Sequence, residues 1–160
     1  MQDAVAQDAV FAGKRSSWRS AVEVFKPRIG LEIMFAGIAG VTMARGSGLP
    51  LPQLAVLATA VFLAAASAGA LNHLAERDID ARMSRTRGRP FVTGKLAGGS
   101  LWIAVIGVLL AFAVVSAGLA TNWLAATFVF LGAFTYGVVY TLWLKRRTWL
   151  NIVVGGLAGS

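Results

Sequence analysis

The sequence predicts an all-α fold, a polytopic bundle of helices that crosses a lipid bilayer several times. Hydrophobic residues make up 57% of the 160 residues and charged residues only 14%, whereas charged residues are about a quarter of a typical soluble protein. The mean hydropathy is +0.69, and the apolar residues lie in long runs. Lysine and arginine collect in alternate connecting segments, which is typical of multi-pass membrane proteins.

Apolar runs predict the position of each span. The four longest are Ile29–Met43, Leu54–Leu71, Leu101–Ala120 and Trp123–Leu144. The last three are long enough to cross a hydrocarbon core of ~30 Å as helices. The first is shorter and carries Glu32, and a fifth run extends from Leu150 to Ser160. We therefore expect four spans and the start of a fifth.

Basic residues between the runs predict the orientation. The five successive segments outside the spans carry 5, 1, 6, 0 and 3 lysines and arginines. Cytoplasmic loops carry the excess of basic residues, so the N-terminus and the loops at residues 73–100 and 145–148 are predicted to face the cytoplasm. We accordingly divide the chain into a cytoplasmic N-terminal segment, residues 1–28, and a transmembrane domain, residues 29–160, which is expected to be incomplete at its C-terminus.

Composition and charge exclude several classes of function. The chain has no cysteine and one histidine, which excludes a disulfide framework and a Cys/His zinc site. The net charge of +8 would suit nucleic acid, but residues 1–80 are neutral and the basic excess of residues 81–160 lies in predicted loops and short connecting segments. We therefore expect no nucleic-acid partner, and a lipid bilayer around the spans.

The candidate chemistry follows the second apolar run. Asn72, Glu76 and Asp80 are spaced four apart, and they share one face if the helix continues through them. One amide oxygen and two carboxylates suit Mg²⁺, which completes its coordination with phosphate oxygens and water. Arg85 and Arg89, also four apart, are placed to grip the same phosphates. This pattern indicates a metal–diphosphate site.

A simpler interpretation of this stretch is a solvated loop whose acids pair with its bases. Asp78 and Arg82, at i and i+4, would form such a pair. The fixed spacing of the acidic residues directly after an apolar helix favours the metal–diphosphate interpretation.

The same stretch resembles the first acidic motif of the UbiA-type intramembrane prenyltransferases. The matching pattern is Asn72-x-x-x-Glu76-Arg77-Asp78-Ile79-Asp80-x-x-Met83-x-Arg85-Thr86-x-x-Arg89-Pro90. Lys26-Pro27-Arg28-Ile29, the Met83-x-Arg85-Thr86 stretch and the Gly-rich segment that follows Tyr140-Thr141 are similar to the branch of protoheme IX farnesyltransferases. The resemblance extends from about Lys26 to the last residue.

The resemblance implies a nine-span enzyme of the bacterial inner membrane. Members of that branch transfer a farnesyl group from farnesyl diphosphate to a vinyl group of haem B, which gives haem O for respiratory oxidases. Mg²⁺ held by two acidic motifs binds the diphosphate and assists its departure. A haem A synthase acts downstream and is a candidate partner.

Roles carried over from the resemblance fall on two sets of residues. Asn72, Glu76 and Asp80 are the implied catalytic and metal-binding residues. The implied diphosphate-binding residues are basic: Arg28, Arg85, Arg89, Lys145 and Arg146.

Two alternatives to the haem enzyme are open. One is a UbiA-type prenyltransferase that acts on a quinone precursor or on chlorophyllide. The other is an inactive fragment or a non-enzymatic membrane subunit, since family members are about twice as long and no Asp or Glu follows Asp80 to form a second acidic motif. For that reason we expect residues 1–160 alone not to catalyse turnover.

Two further polar residues lie near the predicted site. His73 is a candidate haem ligand, but it points about 100° away from Asn72 on a helix, and we favour a structural role. Glu32 lies near the start of the first span, and we expect it to pair with Arg28 one turn earlier.

Overall fold

The computed structural model describes residues 18–44, 48–147 and 153, with only the backbone described for Arg146. Residues 18–24 are helical. The helices that follow are α1 (Pro27–Met43), α2 (Leu51–Ala75), α3 (Arg77–Asp80), α4 (Ser100–Ala120) and α5 (Trp123–Phe134). α5 continues into a π-helical segment, Thr135–Trp143, and a 3₁₀ turn, Leu144–Arg146. The described part of the chain contains no strand, which confirms the predicted all-α fold.

Within the described ranges, three helices are long and apolar enough to cross a membrane. They are Leu51–Ala75, Ser100–Ala120 and the continuous helix Trp123–Trp143, which confirms the three longest predicted spans. α1 forms where the first span was predicted, but its 17 residues extend only about 26 Å at 1.5 Å per residue. The fifth run lies outside the described residues except for Val153, which is helical.

α2 is the centre of the bundle. It packs against α1, α4, α5 and the π-helical segment. The interface is built from alanines of α2, α4 and α5: Ala60, Ala64, Ala68, Ala113, Ala117, Ala126 and Ala133. Such small side chains let helix backbones approach closely in a bilayer. Gly137 shows how closely, because a Cβ there would lie 3.2 Å from Cδ2 of Leu71.

Large apolar side chains cover the outer faces of the helices. Val108 and Leu119 on α4 are 67% and 76% exposed, and Phe128 on α5 is 67% exposed. An exposed apolar surface of this extent is unusual for a soluble protein, and it suits contact with lipid.

The second predicted span does not continue as one helix through the acidic motif, although a continuous helix was the condition for placing the three residues on one face. α2 ends at Ala75, and Glu76 has φ −100° and ψ 5°, outside the helical range, before the single turn of α3. The N–H of Glu76 still donates to the carbonyl of Asn72, and that of Asp80 donates to the carbonyl of Glu76. These bonds bridge the break, so Asn72, Glu76 and Asp80 lie on successive turns, and all three are buried.

Beyond α3 the chain runs through a series of turns to Ser100. Arg85 and Arg89 are therefore not one helical turn apart, as their spacing suggested. Turn hydrogen bonds such as those from Thr86 N–H to the Met83 carbonyl and from Arg89 N–H to the Thr86 carbonyl replace the regular ladder. This different backbone exposes Arg85 and partly buries Arg89.

Candidate active site

A cluster of buried polar groups lies where the end of α2 meets the start of α1 and the end of the π-helical segment. Each of the three polar side chains of the acidic motif contacts a basic side chain from another part of the chain. We call this set the polar cluster; its members are Lys26, Asn72, Glu76, Asp80, Arg89 and Lys145.

Lys26 reaches the cluster from the turn that precedes α1. Its backbone has φ 48°, a left-handed conformation that residues other than glycine seldom adopt. Gly69 on α2 leaves room for it, since a Cβ there would lie 3.4 Å from Cδ of Lys26. The ammonium donates to Oδ1 of Asn72 at 2.5 Å and to the hydroxyl of Tyr136 at 3.5 Å.

The charges of the cluster converge on Lys26. The pKa of Lys26 falls from 10.5 to about 8, chiefly because the ammonium is buried and also because of the positive charges of Arg89 and Lys145, whereas the carboxylates of Glu76 and Asp80 act in the opposite direction. Loss of hydration disfavours the charged form of an amine, as do nearby cations. Four charged groups from three parts of the chain therefore act on one ammonium.

Glu76 is paired with Lys145. The Nζ of Lys145 lies 2.6 Å from Oε1 and donates to Oε2 at 2.8 Å. The Glu76 side chain is 4% exposed and that of Lys145 is 34% exposed, so only the ammonium side of the pair meets solvent. Within the described part of the chain, Oε1 has no hydrogen-bond donor in good geometry.

Asp80 is paired with Arg89. The guanidinium lies 2.5 Å from Oδ2 of Asp80, and the hydroxyl of Thr86 donates to the Asp80 carbonyl at 3.1 Å. Asp78, two residues earlier, is outside the cluster. It contacts Arg77 at 3.7 Å with both side chains exposed, so the Asp78–Arg82 pair of the simpler, solvated-loop interpretation does not form among the described residues.

The π-helical segment contributes three side chains that the spacing argument did not assign to the site. The rings of Tyr136 and Tyr140 stack with centroids 5.5 Å apart, and the Lys145 ammonium lies 5.6 Å from the Tyr140 centroid. The Thr141 hydroxyl donates to the Tyr136 carbonyl at 2.8 Å and accepts from Nδ2 of Asn72 at 3.3 Å. π-helical turns occur frequently at functional sites.

One signal in the sequence was available for these residues. Tyr136, Tyr140 and Thr141 are polar groups in an otherwise apolar span, and polar residues in a span usually face the bundle interior or a functional site. The signal for Lys26 was weaker: it begins the Lys26-Pro27-Arg28-Ile29 stretch that resembles the family, but a lysine beside a span is explained equally well by the orientation rule.

Within the described residues, no hydrogen bond or ion pair joins the polar cluster to Arg28, Glu32, His73 or Arg85. Arg28 and Arg85 are exposed, and the Arg146 side chain lies outside the described residues. Glu32 is exposed, and the ion pairs within the described ranges join other residues, so its predicted pairing with Arg28 is wrong. His73 is 5% exposed, and its Nδ1 has no partner among the described groups.

The side chains that could bind a metal ion here are two carboxylates and one amide. The described residues include no group of three His, Cys, Asp or Glu side chains placed to hold a metal. The candidate donors are instead the two carboxylates of Glu76 and Asp80 and the amide oxygen of Asn72. All are hard oxygen ligands, which are those that Mg²⁺ prefers.

An apolar groove of about 670 Å³ adjoins the polar cluster. It lies between α1, α2 and α5, and small residues line most of it, including Gly37, Gly40, Ala64, Ala68 and Ala133. Tyr136 lines the groove and also contacts Lys26. The groove therefore adjoins the cluster through Tyr136, and its lining extends along α1 to Gly40.

Comparison with known proteins identifies the family. Residues 33–160 match the family model of the UbiA prenyltransferases. The chain belongs to this family. The resemblance stated from the acidic motif is thereby confirmed.

Several curated relatives of this chain are named protoheme IX farnesyltransferase. It is 53% identical over 137 residues to protoheme IX farnesyltransferase 2 of Paramagnetospirillum magneticum, covering 86% of this chain and 48% of that protein. It is 42% identical to the Caulobacter vibrioides protoheme IX farnesyltransferase over 93% of this chain and 44% of that protein. The Brucella ovis protoheme IX farnesyltransferase is 40% identical over 100% of this chain and 51% of that protein.

The chain spans about half the length of these curated relatives. No solved structure matches it.

Proposed function

We propose that this chain is part of an enzyme that transfers a farnesyl group from farnesyl diphosphate to a vinyl group of haem B, giving haem O. The observation that carries the proposal is the polar cluster, with buried carboxylates and three bases, at the mouth of an apolar groove. A prenyl diphosphate has the same two parts, a charged head and an apolar tail. The names of the curated relatives support haem B as the acceptor.

The polar cluster is the proposed site for the diphosphate. Asn72, Glu76 and Asp80 fit Mg²⁺, because their oxygens are hard donors and the three side chains are buried on successive turns of the backbone. When bound, Mg²⁺ would neutralise the diphosphate and make it a better leaving group. Lys145 and Arg89 lie on the carboxylates and would supply further positive charge to the phosphate oxygens.

The apolar groove is the proposed site for the farnesyl chain. From Ile29 to Gly40, both of which line it, α1 rises about 16 Å at 1.5 Å per residue. This length suits a chain of three isoprene units. The volume of about 670 Å³ lies within the ~300–1,000 Å³ of typical ligand pockets. Apolar walls would also limit the access of water to a reactive allylic cation.

The proposed setting is the bacterial inner membrane, with the N-terminus and the loop at 73–100 in the cytoplasm. The alternation of basic loops supports this orientation. It would place the polar cluster at the cytoplasmic surface, where farnesyl diphosphate is supplied. A downstream haem A synthase would receive the haem O product.

Product analysis tests the proposed function. Membranes that contain the longest version of this chain encoded by its gene are incubated with farnesyl diphosphate, Mg²⁺ and haem B. Haem O is expected on chromatography, and it should be absent from matched membranes that carry the Asp80→Asn variant. Prenylated 4-hydroxybenzoate, formed in a parallel incubation in place of haem O, would contradict the proposal and favour a quinone precursor as the acceptor.

A further inference from the structure

The proposed metal ligands already have positively charged partners. Lys145 lies 2.6 Å from Glu76, and Arg89 lies 2.5 Å from Asp80. A divalent cation that approaches either carboxylate meets a competing cation on the same oxygens. The carboxylate side chains are each 4% exposed. Each carboxylate therefore has little free space around it to bind a metal ion and a basic side chain at the same time.

The acidic and basic sides of the two ion pairs differ in burial. Glu76 and Asp80 are buried at the end of α2 and in the turn of α3. Lys145 and Arg89 have long side chains that are 34% and 20% exposed. The basic side chains can therefore rotate away while the carboxylates stay in place.

We propose that Lys145 and Arg89 are exchangeable counter-ions, which hold Glu76 and Asp80 in the absence of diphosphate and move to phosphate oxygens when it binds. This inference rests on the proposed metal–diphosphate site. Its consequence is that the metal and the diphosphate bind cooperatively. The metal alone must displace the two bases, whereas diphosphate draws them away and frees the carboxylates.

Electrostatics makes the coupling strong. Lys26, Arg89 and Lys145 give the cluster three positive charges against two carboxylates. A divalent metal added alone would increase an existing excess of positive charge in a partly buried site, where charges interact more strongly than in water. The negative charges of diphosphate offset this excess. By linkage, the metal raises the affinity for diphosphate by the same factor.

The experiment measures metal binding without any turnover. Mn²⁺ substitutes for Mg²⁺, and the free ion is followed by electron paramagnetic resonance in the purified, longest encoded version of the chain in detergent. Titrations are made with and without inorganic diphosphate, and a protein-free titration corrects for the Mn²⁺–diphosphate complex in solution. We expect diphosphate to raise the Mn²⁺ affinity of the wild-type protein by about tenfold or more.

Substitution of a counter-ion should have two opposite effects. Lys145→Gln is expected to raise the Mn²⁺ affinity without diphosphate and to reduce the gain that diphosphate produces. Lys145→Arg, which keeps the charge, should preserve the coupling. Arg87→Gln is the matched control, because Arg87 is exposed and the ion pairs of the described ranges do not include it.

The possible outcomes separate this inference from the proposed function. Equal Mn²⁺ affinity with and without diphosphate in the wild-type protein would overturn the exchange, and this comparison needs no variant. An unchanged or weaker Mn²⁺ affinity in a folded Lys145→Gln protein would overturn it as well. If haem O forms although diphosphate does not change the Mn²⁺ affinity, the proposed function is supported and the proposed exchange of counter-ions is wrong.

Discussion

The ammonium of Lys145 lies 2.6 Å from Oε1 of Glu76, although the two residues are 69 positions apart. The contact joins the end of the last described span to the break that follows α2. A buried carboxylate is stable in its charged form only when it is paired. The pair therefore links the acidic motif to the π-helical segment and brings the parts of the site together.

Asp80 and Asp78 should differ sharply in their importance for the proposed reaction. Asp80 is buried against Arg89, whereas the Asp78 side chain is 77% exposed. We expect Asp80→Asn in the longest encoded version to lower haem O formation by about a hundredfold or more, as the loss of a stabilising group for developing charge typically does. Asp78→Asn should leave it nearly unchanged.

Haem O is measured by chromatography in membranes with matched amounts of inserted protein. Similar losses from the two aspartate substitutions would contradict the assignment of Asp80 to the site, because both acids would then act through the general charge of the loop.

Thr141 should stabilise the bundle through Asn72. Its hydroxyl accepts from Nδ2 of Asn72 and donates to the Tyr136 carbonyl. Thr141→Val keeps the shape but leaves a buried amide unpaired, which costs about 1–3 kcal/mol. We expect the free energy of unfolding in mixed detergent and SDS micelles to fall by this amount.

Thr127 provides the matched control for Thr141. It lies on the same span, is exposed, and its hydroxyl bonds to the Trp123 carbonyl. Thr127→Val should change the free energy of unfolding by less than about 0.5 kcal/mol. Equal effects of the two substitutions would indicate that the contact with Asn72 contributes nothing.

Gly40 should limit the length of the prenyl chain if the groove binds it. Gly40 lines the groove far from Tyr136, and a Cβ there would meet no atom within 4 Å. A leucine would therefore extend into the groove. We expect Gly40→Leu to lower kcat/KM for farnesyl diphosphate by about tenfold relative to geranyl diphosphate, since pocket contacts of this size are worth about 1–3 kcal/mol.

Gly107 is the control for this substitution. It lies on α4 outside the groove, and a Cβ there also meets no atom within 4 Å. Gly107→Leu should leave the ratio of the two donors unchanged. A parallel loss of both donors in Gly40→Leu would count against the groove as the chain-binding site.

The two ends of α2 should lie on opposite sides of the membrane. α2 is 25 residues long and apolar, and the segments before and after it carry one and six basic residues. A reporter fused after Lys95 should report the cytoplasm, and one fused after Gly48 the periplasm. The reversed pattern would place the polar cluster on the periplasmic side and remove it from the proposed supply of farnesyl diphosphate.

The sequence by itself determined the elements of the fold and most of the acidic side of the polar cluster. Apolar runs predicted the ends of three spans to within four residues. This worked because the length of an apolar run is a local property of the sequence, and a span must match the thickness of the bilayer. The spacing of Asn72, Glu76 and Asp80 identified the side chains that become buried together, because four residues correspond to about one helical turn. The turn survives as hydrogen bonds even though the helix breaks at Glu76.

Only the tertiary structure decided which base meets which acid. Lys26 contacts Asn72 across 46 positions and Lys145 contacts Glu76 across 69. Local spacing predicted the pair Arg28–Glu32 and suggested Asp78–Arg82 for a solvated loop, and neither pair forms among the described residues. Exposed charges gain little from pairing with a neighbour along the helix. Buried charges must find a partner wherever the packing of the helices provides one, and that packing depends on the whole bundle.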